Sequence, residues 1–573
     1  MDLIGSLQNT LPVYVNVFIA VFRYLAPALA LIILLRVIWP LLRFRREPEI
    51  WAWLCFANGD KQPVTHWENV IGRHGSSDIV IDLATVSRSH AVLTRYDDGS
   101  WSISAVEGAG DVRVNGKKVD IRALKETDVI DIGGFEMTLQ PISAKQEKRL
   151  AQLRTKASSF SASVANILLL SVFQLLCCMG YLMTGNAENA MDYILGFGGI
   201  MVCQWLLFIF YVFIRRPAFE VETVAFFLCT MGMAAICSVV PSEAVKQLLA
   251  MILGICIFLV IGWSLRDLRR AKKIRYVAAV AGVLFLLATL IFGRQINGAK
   301  NWIIIGGLSM QPSELSKLCF VFVGASAMDR IVSKRNLIAF IIYSVTICGC
   351  LALMNDFGTA LIFFFAFLVI AYMRSGSVGT IALACTGLGF AGVLALKIAP
   401  HALSRFENWR HIWEAPLHGG YQQTRALMCM ASGGLMGLGV GQGWMKNVFA
   451  AESDMVVATI GEEWGLIMVV MMVLSIVALG FFSVRCAAVG RSSFYTISSC
   501  TAAAILLMQV ILNALGTVDV LPLTGVTFPF LSNGGSSMLC AWGLLGFIKA
   551  ADTRQNASFA VRLFKGKRGA ADE

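Results

Sequence analysis

Charged side chains are scarce in this 573-residue sequence. They make up 15% of the residues, whereas 57% are hydrophobic, and the mean hydropathy is +0.70. A soluble chain of this length needs more charge to cover its surface. The composition therefore excludes an ordinary soluble protein and indicates a polytopic membrane protein.

Several motifs of soluble enzymes are also missing. No Cys-x-x-Cys pair occurs, most cysteines lie in apolar runs, and His401, His411 and His418 lack metal-ligand spacing. These absences exclude structural zinc and a disulfide framework. The glycine-rich segment 432–443 lacks the Gly-Lys-Ser/Thr of a nucleotide-binding loop, and no Gly-x-Ser-x-Gly elbow is present. Neither nucleotide binding nor a serine nucleophile is therefore predicted.

Positive charge is in excess, with a net charge of +12, and it is clustered at the ends of apolar runs. The clusters are Arg43, Arg45 and Arg46; Arg215 and Arg216; Arg266, Arg269, Arg270, Lys272, Lys273 and Arg275; and Arg554, Arg562, Lys565, Lys567 and Arg568. No basic patch regularly interleaved with aromatic residues accompanies them, so we expect no nucleic-acid partner. They indicate cytoplasmic ends of membrane spans.

The apolar runs themselves predict about thirteen spans. The first, 14–42, is too long for a signal-peptide core and is expected to stay as an anchor, with the short N-terminus outside. The others are 163–184, 190–214, 219–240, 245–265, 275–293, 312–328, 337–354, 357–373, 378–398, 453–484, 494–515 and 536–550. Alternating sides place every basic loop inside and the polar intervals 294–311, 399–452 and 516–535 outside.

Between the first two spans the pattern changes to short apolar runs separated by turn residues. Examples are 70–73, 79–81, 101–104 and 129–134. Runs of this length and spacing predict a small all-β sandwich, here on the cytoplasmic side.

This segment resembles a forkhead-associated (FHA) domain through Gly72-Arg73, Ser87-Arg88-Ser89-His90 and Asn115-Gly116. The resemblance implies binding of a threonine-phosphorylated cytoplasmic protein. Arg73, Ser87 and Arg88 would then contact the phosphopeptide, Asn115 would bind its backbone, and His90 would stabilise the loop. A guanidinium and loop hydroxyls suit a phosphate dianion. The alternative is a structural adaptor without phosphate specificity.

Four polar clusters interrupt the C-terminal apolar region. They are 293–317, 355–360, 401–463 and 521–537. Polar groups at membrane depth are costly, and broken backbone is tolerated there only where it lines a cavity in the protein. We therefore expect the four clusters to line one cavity open to the outer face.

Gln311-Pro-Ser-Glu-Leu-Ser-Lys317 and Pro529-Phe-Leu-Ser-Asn-Gly-Gly-Ser-Ser537 are similar to signatures of the SEDS family (FtsW, RodA, SpoVE). The similarity covers about 219–551. It implies a multi-pass α-helical membrane protein with a ten-helix glycosyltransferase core, preceded by about three additional helices and the FHA-like sandwich after the first of them. Members of this family polymerise lipid II into glycan strands beside a class B penicillin-binding protein.

The resemblance and the chemistry together indicate candidate site residues. A carboxylate should take the proton of the acceptor hydroxyl, and cations should stabilise the departing pyrophosphate. In an ungapped alignment Ala415 occupies the position of the family's catalytic Asp, so Glu414 is the predicted base, with Glu407 as a more distant substitute. The predicted substrate-binding residues are Arg294, Glu314, Lys317, Asp356, Arg405, Tyr421, Gln422, Lys446 and Asp454.

Three of these residues could also have purely structural roles. Glu314 and Lys317, three residues apart on one helical face, could form a purely structural ion pair. Asp356 could simply cap a helix. A divalent cation, Mg²⁺ or Mn²⁺, is a candidate cofactor, without an assigned metal site.

The predicted domain organisation follows from these features. It consists of an anchor at 1–46, a cytoplasmic FHA-like domain at 50–141, a basic linker at 142–162, two additional transmembrane helices at 163–216, a SEDS-like core at 217–551 and a basic cytoplasmic tail at 552–573. We expect a lipid II polymerase of a bacterial plasma membrane, in contact with membrane lipids, serving division, elongation or sporulation. The alternatives are an inactive SEDS-like scaffold for a wall synthase and a lipid-linked-sugar flippase.

Overall fold

The structure is a computed structural model of the whole chain. It describes residues 13–43, 50–75, 77–96, 99–106, 108–143, 146, 157–266, 268–296, 298–305, 308–328, 334–375, 378–398, 400–490, 492–554 and 557–558. Within these ranges it contains one β-sandwich and a large α-helical bundle.

The sandwich consists of two sheets, in the orders β2-β1-β11-β10-β7-β8 and β4-β3-β5-β6-β9. Its strands are β1 (Ala52–Phe56), β2 (Lys61–Val64), β3 (Glu68–Gly72), β4 (Ile79–Val80), β5 (Ala91–Arg95), β6 (Trp101–Ala105), β7 (Val112–Val114), β8 (Lys117–Lys118), β9 (Ile121–Leu124), β10 (Val129–Ile132) and β11 (Phe135–Pro141). Alternate residues of the facing strands, such as Leu54, Ile71, Ile103 and Ile130, form its core.

The remainder of the fold is mainly helical. The helices are α1 (Val13–Leu42), α2 (Phe160–Thr184), α3 (Ala190–Phe213), α4 (Glu220–Val239), α5 (Ala244–Ser264), α6 (Leu268–Phe292), α7 (Pro312–Met328), α8 (Lys334–Leu353), α9 (Phe357–Ser375), α10 (Val378–Ile398), α11 (Pro400–Asn408), α12 (Tyr421–Gly433), α13 (Val456–Glu463), α14 (Leu466–Ala488), α15 (Ser493–Thr517) and α16 (Gly535–Ala550).

Nine of the described helices are long and apolar enough to cross a membrane: α1 to α6, α8, α14 and α15. Helix α4 is the most enclosed, with 94% of its apolar window buried. It packs against α1, α2, α3, α5, α14 and α16. A helix that is hydrophobic on all sides belongs in the interior of a bundle. The β-sandwich and the multi-pass helical fold class predicted from the sequence are therefore both present.

Two local features differ from the sequence-based expectations. The apolar run 453–484 is divided into α13 and α14 because Gly465 adopts φ +85° and the amides of Leu466 and Ile467 bond to Gly434 and Leu435 carbonyls. The polar interval before α7 forms a three-stranded sheet of β12 (Arg294–Ile296), β13 (Ala299–Ile305) and β14 (Leu308–Met310).

Candidate active site

The start of α7 contains a buried ion pair. Pro312 begins the helix, and Glu314 and Lys317 lie on one of its faces with Lys317 Nζ 2.5 Å from Glu314 Oε1. The second carboxylate oxygen, Glu314 Oε2, is buried without a hydrogen-bond partner. Just before the helix, the amide of Gln311 donates to Ser536 Oγ at 2.9 Å, which connects α7 to the start of α16.

Asp356 connects three segments at the start of α9. Its Oδ1 accepts a hydrogen bond from the Thr359 amide at 3.1 Å, as in a helix cap. Its Oδ2 accepts from Asn301 Nδ2 at 3.1 Å and from Gln311 Nε2 at 3.3 Å. The carboxylate therefore caps a helix and also binds two side chains of the first predicted polar cluster, 293–317.

The long loop between α10 and α14 meets the segment before α16. Arg405 Nη1 donates to the Thr524 carbonyl at 3.1 Å. Asn513 Nδ2 donates to the carbonyls of Asp454 and Val526 at 2.9 and 2.7 Å. On the other side of this segment, Thr524 lies against Gly358 of α9, so tightly that a Cβ on Gly358 would be 3.0 Å from Thr524 Cβ.

The four predicted polar clusters are thus in contact with one another. Gln311 joins the first to Asp356 in the second, Gly358 joins the second to Thr524, and Arg405 joins the third to the same Thr524. The long loop is ordered by an apolar core of its own, which contains Ala426, Cys429, Met445, Val448, Ala451, Met455 and Ala458.

Asp454 is a carboxyl group of this region whose pKa differs from its value in solution. Burial raises its pKa to about 6, which Glu452 reinforces and the positive charge of Arg405 opposes. Its carboxylate accepts no hydrogen bond from the described residues. An acid with a pKa near neutrality suits proton transfer.

Glu414, the base predicted from the sequence, lies in a more exposed environment than Asp454. Its side chain is 76% exposed, and Oε1 lies 2.8 Å from Nδ1 of His411, one turn away. The neighbouring Ala415 uses its carbonyl to accept the amides of His418 and Gly420, both at 3.1 Å. Within the described residues, no hydrogen bond or ion pair joins Glu414 to Arg405 or Asp454, and its role as base stays a prediction.

The other predicted substrate residues lie around this region with different degrees of exposure. Arg294 and Lys446 are exposed. The Tyr421 ring lies 5.3 Å from the Arg425 guanidinium, and Gln422 Nε2 donates to the Phe449 carbonyl at 2.9 Å. Among the described residues no group of three or more His, Cys, Asp or Glu side chains is arranged to bind a metal ion.

Three of the four residues predicted to bind the phosphopeptide, Arg73, Ser87 and Arg88, lie together in the sandwich. The Arg73 amide donates to the Ser87 carbonyl at 3.0 Å, and the exposed Arg88 follows directly. His90 Nδ1 accepts the Ser87 amide at 3.1 Å, as expected for a residue that stabilises this loop. By contrast, Asn115 Nδ2 donates to Asp128 at 2.8 Å and its Oδ1 accepts the Val129 amide, so its side chain is occupied within the domain.

Comparison with known proteins settles the family. The FtsW/RodA/SpoVE model, described as "cell cycle protein", matches residues 237–557, more than half of the chain. The chain belongs to the FtsW/RodA/SpoVE family. The FHA domain model matches residues 69–133. The family and the FHA domain predicted from the sequence motifs are both confirmed, and the chain is a multi-pass membrane protein.

Individual relatives agree with this assignment. The peptidoglycan glycosyltransferase RodA of Mycobacterium tuberculosis is 28% identical over 53% of this chain and 69% of its own length. The probable peptidoglycan glycosyltransferase FtsW of Bacillus subtilis is 26% identical over 53% of this chain and 79% of its own length. A chain from a peptidoglycan synthase complex, solved to study the coordination of polymerization and crosslinking, is 25% identical with a TM-score of 0.50 over 58% of this chain and 96% of that chain.

Sequence reasoning missed several polar residues of this FtsW/RodA/SpoVE core. Asn301 and Gln311 lie in the first polar cluster, 293–317, in which the predicted site residues are only the charged Arg294, Glu314 and Lys317. Asn513 is a buried amide side chain in the apolar helix α15. A polar residue within a membrane span indicates either a functional site or a hydrogen bond that stabilises the fold.

The glycine-rich segment of this FtsW/RodA/SpoVE member proves to be structural. Glu463 accepts hydrogen bonds from the amides of Gly441 and Gly443 at 3.1 and 3.3 Å, and from the hydroxyls of Tyr181 and Ser238. Glu462 Oε2 accepts the Met445 amide at 2.8 Å. The backbone amides that could have bound a phosphate are therefore directed at carboxylates.

Proposed function

We propose that this protein is a peptidoglycan glycosyltransferase that polymerises lipid II at the outer face of the plasma membrane. The observation that carries the proposal is the convergence of four polar clusters beside Arg405 and Asp454. The names of its relatives support the same reaction class. A flippase would require polar clusters accessible from both faces, whereas those of this chain are concentrated in the predicted outer segments.

The transfer reaction needs a proton acceptor and a stabilised leaving group. The acceptor sugar's hydroxyl oxygen forms a bond to the donor's anomeric carbon, the bond from that carbon to the pyrophosphate oxygen breaks, and the hydroxyl proton must leave. The Asp454 carboxylate, with its pKa of about 6, is a suitable acceptor. Arg405 is a suitable cation for the developing charge on the prenyl pyrophosphate.

Glu414 is the competing candidate for the base. A rotation of the loop around Ala415 would be needed to bring it towards Arg405, because its carboxylate now faces solvent beside His411. We therefore place Asp454 first and Glu414 second.

A non-catalytic scaffold is the second candidate function. It is favoured by one observation: Ala415 stands where the ungapped family alignment has an aspartate. Such a scaffold would bind a wall synthase without polymerising lipid II itself.

We further propose that the chain works with a class B penicillin-binding protein and responds to a phosphothreonine protein in the cytoplasm. The complex to which its fold is similar performs both polymerization and crosslinking. Arg73, whose amide bonds to the Ser87 carbonyl, and Arg88, the next residue after Ser87, are both exposed, and two guanidinium groups beside a hydroxyl suit a phosphate dianion. Basic clusters at the predicted inner loops support a cytoplasmic FHA domain.

The decisive experiment is conversion of labelled lipid II to glycan strands by the purified full-length protein with its penicillin-binding partner. We expect polymer from the wild type, a loss of at least a hundredfold in Asp454→Asn, and a small effect in Glu414→Gln. The reverse pattern would assign the base to Glu414. Absence of polymer under varied Mg²⁺ and Mn²⁺ concentrations would favour the scaffold.

A further inference from the structure

The backbone turn that carries Asp454 is held at four consecutive carbonyls. Those of Ala451, Glu452, Ser453 and Asp454 accept, in this order, the Thr459 hydroxyl at 2.7 Å, the Asn533 amide at 2.8 Å, the Ser532 hydroxyl at 2.7 Å and Asn513 Nδ2 at 2.9 Å. Just before them, Ala450 has φ +61°, a conformation that a residue with a side chain keeps only where its surroundings impose it. The position of Asp454 is therefore set by the segments packed around this turn.

Asn513 differs from the other three donors because it holds a second segment as well. Its Nδ2 also donates to the Val526 carbonyl at 2.7 Å, so both hydrogens of the amide nitrogen are used. Both acceptors are carbonyl oxygens, which cannot donate, so the nitrogen of the amide faces them and the oxygen does not. Asn513 thus joins the turn of Asp454 to the segment before α16.

This second segment is also the one that binds Arg405. Arg405 Nη1 donates to the Thr524 carbonyl at 3.1 Å, two residues before Val526. Between them Gly525 has φ +70°, and a Cβ on it would lie 3.4 Å from Asp454 Oδ2, so the segment passes directly beside the carboxylate. One amide side chain therefore fixes both the turn of Asp454 and the segment that holds Arg405.

Packing alone does not account for an amide at this place. Asn513 is 2% exposed in α15, a helix that packs against α7, α9, α14 and α16. Its Oδ1 is buried and accepts no hydrogen bond from the described residues, which costs free energy that an apolar side chain of the same size would not cost. The two hydrogen bonds of Nδ2 are what the amide supplies, and they start from a firmly packed helix, as a precise site requires.

We propose that Asn513 is a positioning residue that sets the spacing between Asp454 and Arg405. The inference rests on the proposed function, from which the roles of Asp454 as proton acceptor and Arg405 as leaving-group cation are taken. Asn513 acts through the backbone carbonyls of the two segments and not through the reacting atoms. A reactive group displaced by about 1 Å can slow an enzyme about a hundredfold, so the loss of this joint should be visible in the rate.

The test is conversion of labelled lipid II by the full-length protein with its penicillin-binding partner. Asn513→Leu keeps the size of the side chain and removes both donors. We expect kcat to fall about tenfold or more and KM to stay within about twofold, because the amide holds catalytic segments rather than substrate. Asn447→Leu is the matched control, since Asn447 Nδ2 donates to the Trp444 carbonyl at 2.9 Å within the same loop, and it should keep both constants.

The pH profile distinguishes positioning from a general loss of folded protein. The charged groups that act on Asp454 are Arg405 and Glu452, and Asn513→Leu changes neither of them. A loosened turn admits water to the carboxylate, so the midpoint of the rate should fall from about 6 towards 3.8, by about 0.5 or more. Partial unfolding would lower the rate at every pH without moving the midpoint. A lower kcat with an unchanged midpoint would therefore overturn the positioning role.

The remaining outcomes separate this inference from the proposed function. Equal rates from the wild type and Asn513→Leu would overturn the inference and leave the proposed function standing, whereas no polymer from the wild type would overturn both. If Asn513→Leu does not fold, Asn513→Ser provides the second variant, because its hydroxyl is too short to reach both carbonyls. It should show the same loss of kcat and the same shift of the midpoint, and wild-type values would overturn the inference.

Discussion

Asp454 is a residue whose environment makes a pH dependence predictable. Its pKa of about 6 lies above the usual 3.8 because burial disfavours the charged form. The stability that this group contributes is therefore complete below pH 3.8 and is lost as the pH rises through about 6. The carboxylate needed for proton transfer forms over the same interval.

We therefore predict that the polymerisation rate rises between pH 5 and 7 with a midpoint near 6. The measurement is initial rate against pH with saturating lipid II. Asp519→Asn provides the control, because Asp519 is an aspartate of the loop between α15 and α16 that accepts the Arg410 amide. The control should keep the midpoint. A wild-type profile flat between pH 5 and 7 would contradict Asp454 as the base.

The Glu314–Lys317 pair yields a second prediction at this scale. Both side chains are buried, so removing one leaves an unpaired charge within the bundle. We expect Lys317→Met to lower the free energy of unfolding by about 3–5 kcal/mol. The double variant Glu314→Gln with Lys317→Met should recover most of this loss, as measured by thermal unfolding in detergent. A double variant no more stable than Lys317→Met would mean that the pair has another role.

At the scale of elements, the glycine-rich segment connects α12 to α13 through backbone that tolerates no side chain. Gly437 has φ +83°, and a Cβ on it would be 2.1 Å from the Glu463 carbonyl oxygen. We predict that Gly437→Ala lowers the free energy of unfolding by at least about 1–3 kcal/mol. Gly198→Ala in α3, where a Cβ meets nothing within 4 Å, should be neutral or stabilising by up to about 1 kcal/mol. Equal changes in the free energy of unfolding for Gly437→Ala and Gly198→Ala would show that the glycine-rich segment rearranges to accommodate a side chain.

Elements with a strong pattern could be predicted from the sequence, and elements defined by tertiary contacts could not. The alternation in 129–134 predicted β10 because its period of two is local. The sheet β12–β14 was missed, since its short strands lie in a polar interval with little alternation. The break at Gly465 was missed because it depends on amide bonds to Leu435 and Gly434, which are distant in sequence.

The same division applies to the candidate site. Polar residues that interrupt the apolar region indicated all four clusters. In the structure the clusters meet at Asp356, Thr524 and Arg405. The partial enclosure of Asp454 near the arginine was not predictable, because it depends on how the loop packs on its own small core. The family alignment therefore favours Glu414 as the base, whereas the packing of the loop favours Asp454.

For the whole molecule, the important contact is between the FHA domain and the membrane core. Ser492 Oγ, at the start of α15, donates to Glu68 Oε2 at 3.5 Å, and both residues are buried. Glu68 begins β3, and Arg73 follows the end of that strand. A short rigid strand thus connects the proposed phosphate-binding loop to a helix of the core that also binds Asp454 through Asn513.

We therefore predict that a phosphothreonine peptide changes the polymerisation rate of the full-length protein through this contact. Arg73→Ala should abolish both peptide binding and the change in rate. Glu68→Gln should keep the peptide affinity within about twofold but lose the change in rate, because it weakens the contact with Ser492. Ser498→Ala, which removes a hydroxyl bonded within α15 itself, is the control and should respond like the wild type. A normal response in Glu68→Gln, measured by peptide titration in the lipid II assay, would mean that the FHA domain acts on the core by another route.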